Sequence, residues 1–399
     1  MKSSKMAAVL LLMLMGLAGC GGSGGGSGSP GATIGGQPAA GNNVMSVTVN
    51  GSLCSGNPSY PNEPCVSVTI CAPGTTNCQT IGDILLDTGS SGLRIFNQAL
   101  TVPLTQVTAG SGLLAECVNF GDGSSMWGPV QMASVILGNE PAVQIPVQVV
   151  NQNFGTPSNL CTSPNSTPNT SPSEANYNGI LGVGLFAQDS GLYFSCSGAA
   201  SGSSCAGTAV PNASQLINPV AVLPGDNNGV IVQLPGVPTN GAGSANGSLI
   251  LGIGTQSNNV PSGVTAYGAN QFAEFTTTFN GLRYASFLDT GSNGLFFPSP
   301  SATQLPACPS PNAAWFCPPA AVSFSATNTG AGGSPSGIVS FLIGNAVSHF
   351  NTSNQVFGDL GGGAATSFDW GLPFFLGRSV FVGIDGASSS LGTGPYWAY

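Results

Sequence analysis

Apolar and polar residues alternate in short runs along most of the chain. Val47-Thr48-Val49, Val66-Ser67-Val68-Thr69-Ile70 and Val135-Ile136-Leu137 are short, β-branched segments bounded by turn formers, which predicts strands. Val143-Gln144-Ile145-Pro146-Val147-Gln148-Val149 alternates with period two. Pro146 has no N–H to give to a ladder, so this strand is expected at an edge or at a bulge. After the first twenty residues no long stretch keeps a helical period; Gln215-Leu216-Ile217 reads as a short helix or turn. Strands separated by Gly- and Pro-rich turns predict an all-β protein with many hairpins.

Two of the apolar runs end in the same polar motif. Ile84-Leu85-Leu86-Asp87-Thr88-Gly89-Ser90-Ser91-Gly92-Leu93 returns as Ser286-Phe287-Leu288-Asp289-Thr290-Gly291-Ser292-Asn293-Gly294-Leu295, offset by 289 − 87 = 202 residues. Solenoid repeats recur every 20–50 residues or so, so this spacing suits a duplicated lobe. Each apolar run reads as a core strand, and Thr-Gly-Ser as the tight turn that follows it. Each copy therefore ends a buried strand in a carboxylate. If the lobes face each other, the carboxylates meet and share one proton, because two adjacent charges are costly. Such a pair holds a base and an acid at one place and can activate water while protonating a leaving group.

Composition narrows the alternatives. The chain has 399 residues with 60 Gly, 30 Pro and 5% charged residues, and its 41% hydrophobic content and modest net charge of −9 argue against disorder. Its length accommodates two lobes with cores of their own. Only Arg94, Arg283 and Arg378 are basic after residue 5, which excludes a phosphate-binding face and tight binding to acidic headgroups. The single His349 lies near no nucleophile motif, so Ser-His-Asp and Cys-His chemistry lack a base. Gly361-Gly362-Gly363 has no Lys of a phosphate loop.

At the N-terminus, residues 1–20 read as a targeting segment: Lys2 and Lys5, an apolar core from Met6 to Leu17, then Leu17-Ala18-Gly19-Cys20 as a lipobox. Cys20 would carry the lipid, and Gly21 after it favours the outer membrane by resemblance to bacterial lipoproteins. Residues 21–43, mostly Gly, Ser, Ala and Pro, read as a flexible tether. Setting Cys20 aside leaves ten cysteines, an even number that suggests disulfides in an exported protein. Cys71/Cys78, Cys196/Cys205 and Cys308/Cys317 are close enough for local loops, and Cys54/Cys65 and Cys117/Cys161 are the remaining guess; spacing alone leaves the connectivity open. One His and no Cys-x-x-Cys argue against zinc.

The two Asp-Thr-Gly-Ser motifs resemble those of the pepsin-like aspartic peptidases, and other segments share the likeness in the right order over roughly residues 44–399. Phe120-Gly121-Asp122-Gly123-Ser124 resembles the family's flap tip. Asn178-Gly179-Ile180-Leu181-Gly182 and Phe374-Phe375-Leu376-Gly377 resemble its two apolar-apolar-Gly motifs, and Gly247-Ser248-Leu249-Ile250-Leu251-Gly252 the strand opening its second lobe. The chain also resembles bacterial lipoproteins of pepsin-like pattern that carry a domain of unknown function.

The resemblance implies an all-β bilobal fold, with an N-terminal lobe over 44–240, a C-terminal lobe over 241–399 and a cleft between them. It implies an envelope endopeptidase in which Asp87 and Asp289 activate water at the floor of the largest cleft. Thr88, Gly89, Ser90, Thr290, Gly291 and Ser292 would support the catalytic loops. Phe120, Gly121, Asp122, Gly123 and Arg94 would form the flap side. The implied partner is a peptide or protein substrate; no cofactor, metal or nucleic acid enters, the chain is a monomer, and the membrane is met through the lipid alone. The flap aromatic is usually Tyr, and Arg94 stands where the family often has Trp, so an Arg94 facing the cleft would favour the ionised pair. The alternative is a catalytically silent envelope protein that binds a peptide or wall component.

Overall fold

The computed structural model describes the backbone of residues 33–35 and residues 39–399 apart from 57–58, 162–165 and 365. The targeting segment and Cys20 lie outside the described residues. The chain is all-β: the longest described helix, Ala346–Phe350, has five residues. No described helix is long and apolar enough to cross a membrane.

One arrangement of strands occurs twice. In the first half, Cys78–Asp87 pairs antiparallel with Pro64–Cys71 and parallel with Gly179–Val183, placing Gly182 beside Asp87. Gly179–Val183 also pairs antiparallel with Ser91–Phe96, which runs parallel to Val143–Val150. In the second half, Leu282–Leu288 pairs antiparallel with Phe275–Phe279 and parallel with Ser367–Trp370. Ser367–Trp370 pairs antiparallel with Leu295–Phe297, which runs parallel to Gly361–Gly363. In both halves the aspartate strand and the strand after its turn are joined by a third segment that pairs with both. That segment has to be apolar or small, because it is buried on two sides.

A third set of strands belongs to both halves. Ser244–Leu251 pairs with Val44–Val49 on one side and Gly229–Gln233 on the other; the latter pairs with Ser379–Gly383, and that with Tyr396–Ala398. A line drawn between residues 240 and 241 therefore passes through a shared sheet. One apolar cluster runs through the molecule from Met45 to Trp397. In the second half its centre is aromatic, with Phe297 stacked on Phe368 at 5.0 Å and Trp370 Nε1 donating to Thr277 Oγ1 at 3.0 Å.

The tether reading of residues 21–43 is corrected where the structure describes them. Thr33–Gly35 pairs parallel with Ser244–Asn246, the Ala39 N–H donates to Ser248 Oγ at 3.3 Å, and buried Asn43 donates from Nδ2 to the Leu251 carbonyl at 2.8 Å. A sheet edge offers backbone N–H and C=O groups to any passing segment whatever its side-chain pattern. Pro146 pairs with Met132 on one side, and the parallel neighbour begins only at Gln148, so the proline occupies the edge portion of its strand. The turn expected at Gln215–Ile217 falls at Asn212–Ser214, and Gln215 is extended.

Five disulfides join Cys54–Cys65, Cys71–Cys78, Cys117–Cys161, Cys196–Cys205 and Cys308–Cys317. The longest loop, 44 residues, is closed by Cys117–Cys161; cross-links of this kind contribute about 2–4 kcal/mol each by restricting the unfolded chain.

Candidate active site

The two aspartates sit at the ends of equivalent strands, and the loops after them interlock. The Thr88 N–H donates to Thr290 Oγ1 at 3.1 Å and the Thr290 N–H to Thr88 Oγ1 at 3.0 Å. Each hydroxyl then donates across to the opposite strand, Thr88 Oγ1 to the Leu288 carbonyl at 2.9 Å and Thr290 Oγ1 to the Leu86 carbonyl at 2.6 Å. Both threonines are fully buried, so these four bonds are costly to leave unmade.

The carboxylates are held in the same way on both sides. Asp87 Oδ1 accepts the Gly89 N–H at 2.7 Å and Oδ2 accepts from Ser90 Oγ. Asp289 Oδ1 accepts the Gly291 N–H at 2.8 Å and Oδ2 accepts from Ser292 Oγ at 2.9 Å. The two carboxyls hydrogen-bond to each other. The glycines are required by contact: a Cβ on Gly89 would lie 2.8 Å from the Asp289 carboxyl carbon, and one on Gly291 3.0 Å from Asp87 Oδ1. Burial, then the neighbouring Asp87 and Asp369 carboxyls and the bond to Asp87, push the Asp289 carboxyl well above the usual carboxylate range. One proton is therefore held between the pair.

Sequence reasoning missed four residues around the pair. Asp369, buried behind Ser292, is pushed up to about 8 mainly by burial. Tyr60 Oη donates to the Gly291 carbonyl at 3.0 Å. Next to it, Asn62 reaches into the second half, donating to the carbonyls of Asn293 at 2.9 Å and Phe357 at 3.0 Å. Tyr177 is buried against Phe96, Leu85 and Ile180, and burial raises its hydroxyl, with the Asp122 and Asp87 charges adding to the effect. Neither tyrosine lies in a motif with a signal of its own. Asp369 had one: aligned on its glycine, Asp369-Trp370-Gly371 matches Ile180-Leu181-Gly182, but an acid in the first apolar place hides the match.

That alignment corrects the second apolar-apolar-Gly assignment. The segment beside the Asp289 strand is Ser367–Trp370, and Phe374 and Phe375 belong to the short helix Leu372–Phe375 that follows. Gly371 takes the place of Gly182. A Cβ there would lie 2.1 Å from the Gly294 carbonyl oxygen, and one on Gly182 2.8 Å from Ser90 Oγ.

Phe120-Gly121-Asp122-Gly123 forms the turn between strands Gly112–Asn119 and Ser124–Ile136. The Ser124 N–H caps it by donating to Asp122 Oδ1 at 2.8 Å. Phe120 and Tyr60 both pack on the cluster that contains Tyr177, which sets the hairpin tip over the aspartate loops. Its edge is covered, since Thr167–Pro168 pairs parallel with Ser124–Ser125 and Cys117–Cys161 ties the hairpin to the covering segment.

Arg94 does not face the pair. It is wholly buried, with Nη2 2.8 Å from Glu116 Oε1 and 2.7 Å from Asp189 Oδ2 and Nη1 donating to the Ser91 carbonyl at 2.9 Å. Tyr193 Oη donates to Asp189 Oδ1 at 2.7 Å. Burial raises the Glu116 carboxyl; burial also acts on Asp189, but the Glu116 bond, the Arg94 charge and Tyr193 outweigh it and hold Asp189 low. One guanidinium thus serves two buried carboxyl groups. Strand alternation decided the direction of Arg94.

His349 stacks on Phe357 at 4.5 Å, and its Nε2 lies 2.9 Å from Asp359 Oδ1. Among the described residues, the one grouping spaced to hold a metal is Cys54, Glu63 and Cys65, and its two sulfurs are joined in a disulfide. A cavity of about 450 Å³ opens in the second half between Val339, Phe341, Trp370, Phe374 and Arg378, and neither aspartate lines it. Asp87 is only 6% exposed, whereas Asp289, Ser90 and Ser292 are partly exposed and Gly89 between them is exposed.

The described chain is thus an all-β protein with two interlocked Asp-Thr-Gly-Ser loops. It belongs to the family described as protein of unknown function (DUF3443), whose sequence model matches residues 39–399. No curated protein matches the chain.

Proposed function

We propose that this chain is a bilobal, pepsin-like aspartic endopeptidase of the cell envelope, cleaving peptide bonds with a water activated by Asp87 and Asp289. The observation that carries this reading is the mutually hydrogen-bonded carboxyl pair, fixed from outside by Ser90 and Ser292. In the working state Asp289 holds the proton and Asp87 is ionised. Asp87 takes a proton from water as its oxygen bonds to the carbonyl carbon, and Asp289 gives its proton to the carbonyl oxygen. The resulting diol collapses when Asp87 passes its new proton to the amine nitrogen, the C–N bond breaks, and Asp289 recovers a proton from one diol hydroxyl. Both carboxyls return to their first state. Five disulfides fit an oxidising compartment outside the cytoplasm, and anchoring through Cys20 belongs to the same reading.

The test is cleavage of a mixed peptide library between about pH 2 and 7 by the disulfide-intact chain from residue 21 onwards. Turnover lost in Asp87→Asn and in Asp289→Asn, with unchanged circular dichroism, supports the reading; equal turnover in either variant contradicts it. A second reading, a silent protein that binds a peptide or wall component, is favoured by Phe120, which lacks a hydroxyl at the hairpin tip. Peptide binding with no cleavage by the unmodified chain would select it.

A further inference from the structure

The two halves support their aspartates with different residues at one equivalent position. Ile180 lies beside Leu85, two residues before Asp87, and Asp369 lies beside Phe287, two residues before Asp289. The first half thus has a methyl-rich side chain where the second has a carboxyl. Asp369 is 8% exposed, and its Oδ1 has no hydrogen-bond partner among the described residues. Its side chain hydrogen-bonds Ser292, whose hydroxyl is already donated to Asp289 Oδ2 at 2.9 Å. A serine hydroxyl has one hydrogen, so an ionised Asp369 competes with Asp289 for the Ser292 donor, whose bond favours the charged form of either carboxyl. When Asp369 draws that hydrogen, Asp289 loses a donor to its charged form and its proton is held more tightly.

We propose that Asp369 is a third acid of this site, a positioning residue that acts through Ser292 to keep the last proton on the Asp87–Asp289 pair as the surroundings become less acidic. The groups that face it are Asp289 and Ser292 from the neighbouring loop, Asp87 from the opposite half and the Phe296 ring from the flanking strand. None is basic. The site then holds two protons among three carboxyls, one on the pair and one on Asp369. As the pH rises, ionisation of Asp369 sets a negative charge near the pair, and a like charge makes the remaining proton harder to remove. The burial of Asp369 and its effect on Asp289 act in that direction. Its catalytic meaning rests on the peptidase reading above; its proton chemistry can be measured without turnover.

The experiment is a carbon-13 NMR titration of the folded chain labelled at the Asp carboxyl carbons, with Asp87→Asn and Asp289→Asn used to assign the pair. In Asp369→Asn, which removes the charge and keeps a donor for Ser292, the upper titration step of the pair is expected to move to lower pH by about one unit, a tenfold loosening of the proton. Asp369→Ile, which copies Ile180, serves if the Asn variant fails to fold. An upper step that stays in place in the folded variant overturns the proposal. With peptide substrate, the alkaline limb of kcat/KM moves down with the NMR step while KM at acid pH is unchanged. A uniform drop at every pH would mean a structural role only and also overturns it. If the unmodified chain cleaves nothing, the peptidase reading fails, and the NMR step still decides the role of Asp369.

Discussion

The first and second aspartate loops share a backbone and differ in what surrounds it. Seven residues after Asp87 stands Arg94, buried with Glu116 and Asp189; seven after Asp289 stands Phe296, packed against Trp315 at 5.4 Å. Behind Asp87 the partner strand offers Ile180, and behind Asp289 it offers Asp369. The threonine bonds and the serine supports are the same on both sides. Geometry of the pair is thus carried by what is duplicated; its hold on a proton comes first from burial and from the facing carboxyls, with the unduplicated Asp369 adding to it. Charge in the first half is spent within a closed triad, whereas in the second an unneutralised acid borders the pair.

The largest expected effect on stability comes from the side of the comparison with the arginine. Arg94→Met leaves Glu116 and Asp189 buried without their cation and should cost about 3–5 kcal/mol in denaturant unfolding. The pH dependence of any turnover should not move, because the guanidinium does not reach the pair. Phe296→Leu, at a half-buried ring, should cost less. A small loss in Arg94→Met would mean that the triad is not closed as described.

A smaller effect tests what the halves have in common. Thr88→Val and Thr290→Val each remove a buried donor and strand a backbone N–H from the opposite loop, at about 1–3 kcal/mol apiece. Equivalent loops predict equal losses, and a double variant that loses less than the sum, because the two residues share their bonds. Unequal losses would break the equivalence. The smallest change is Phe120→Tyr at the hairpin tip, which the first half alone contributes to the site. Adding one hydroxyl should leave stability unchanged and raise kcat/KM by no more than about tenfold, the scale of one neutral hydrogen bond.

Much of this comparison was legible in the chain itself. The 202-residue offset, the alternating strands and the three short disulfide loops follow from local pattern and spacing; Cys54–Cys65 and Cys117–Cys161 were the cysteines left over, and spacing did not fix their pairing. The direction of Arg94 was not legible, because a strand turns each successive side chain to the opposite face and one residue decides which. Asp369 was hidden because the apolar pattern that marks the equivalent segment in the first half is broken by the acid itself. Tyr60 and Asn62 reach the site through bonds across more than 200 residues, with no local signature. The docking of residues 33–35 and 39–43 depends on a sheet edge formed more than 200 positions later, and a Gly- and Ala-rich composition carries no trace of it.

The central claim, a water-activating pair at Asp87 and Asp289, is tested most directly by peptide cleavage. Single-turnover hydrolysis is measured at acid pH for the unmodified chain and for Asp87→Asn and Asp289→Asn, each shown by circular dichroism to be folded. The account predicts cleavage by the unmodified chain and a fall of at least about a thousandfold in each variant, the scale seen when one member of a catalytic group is removed. A folded, unmodified chain that cleaves no peptide, or a variant that cleaves as fast as the unmodified chain, would contradict it.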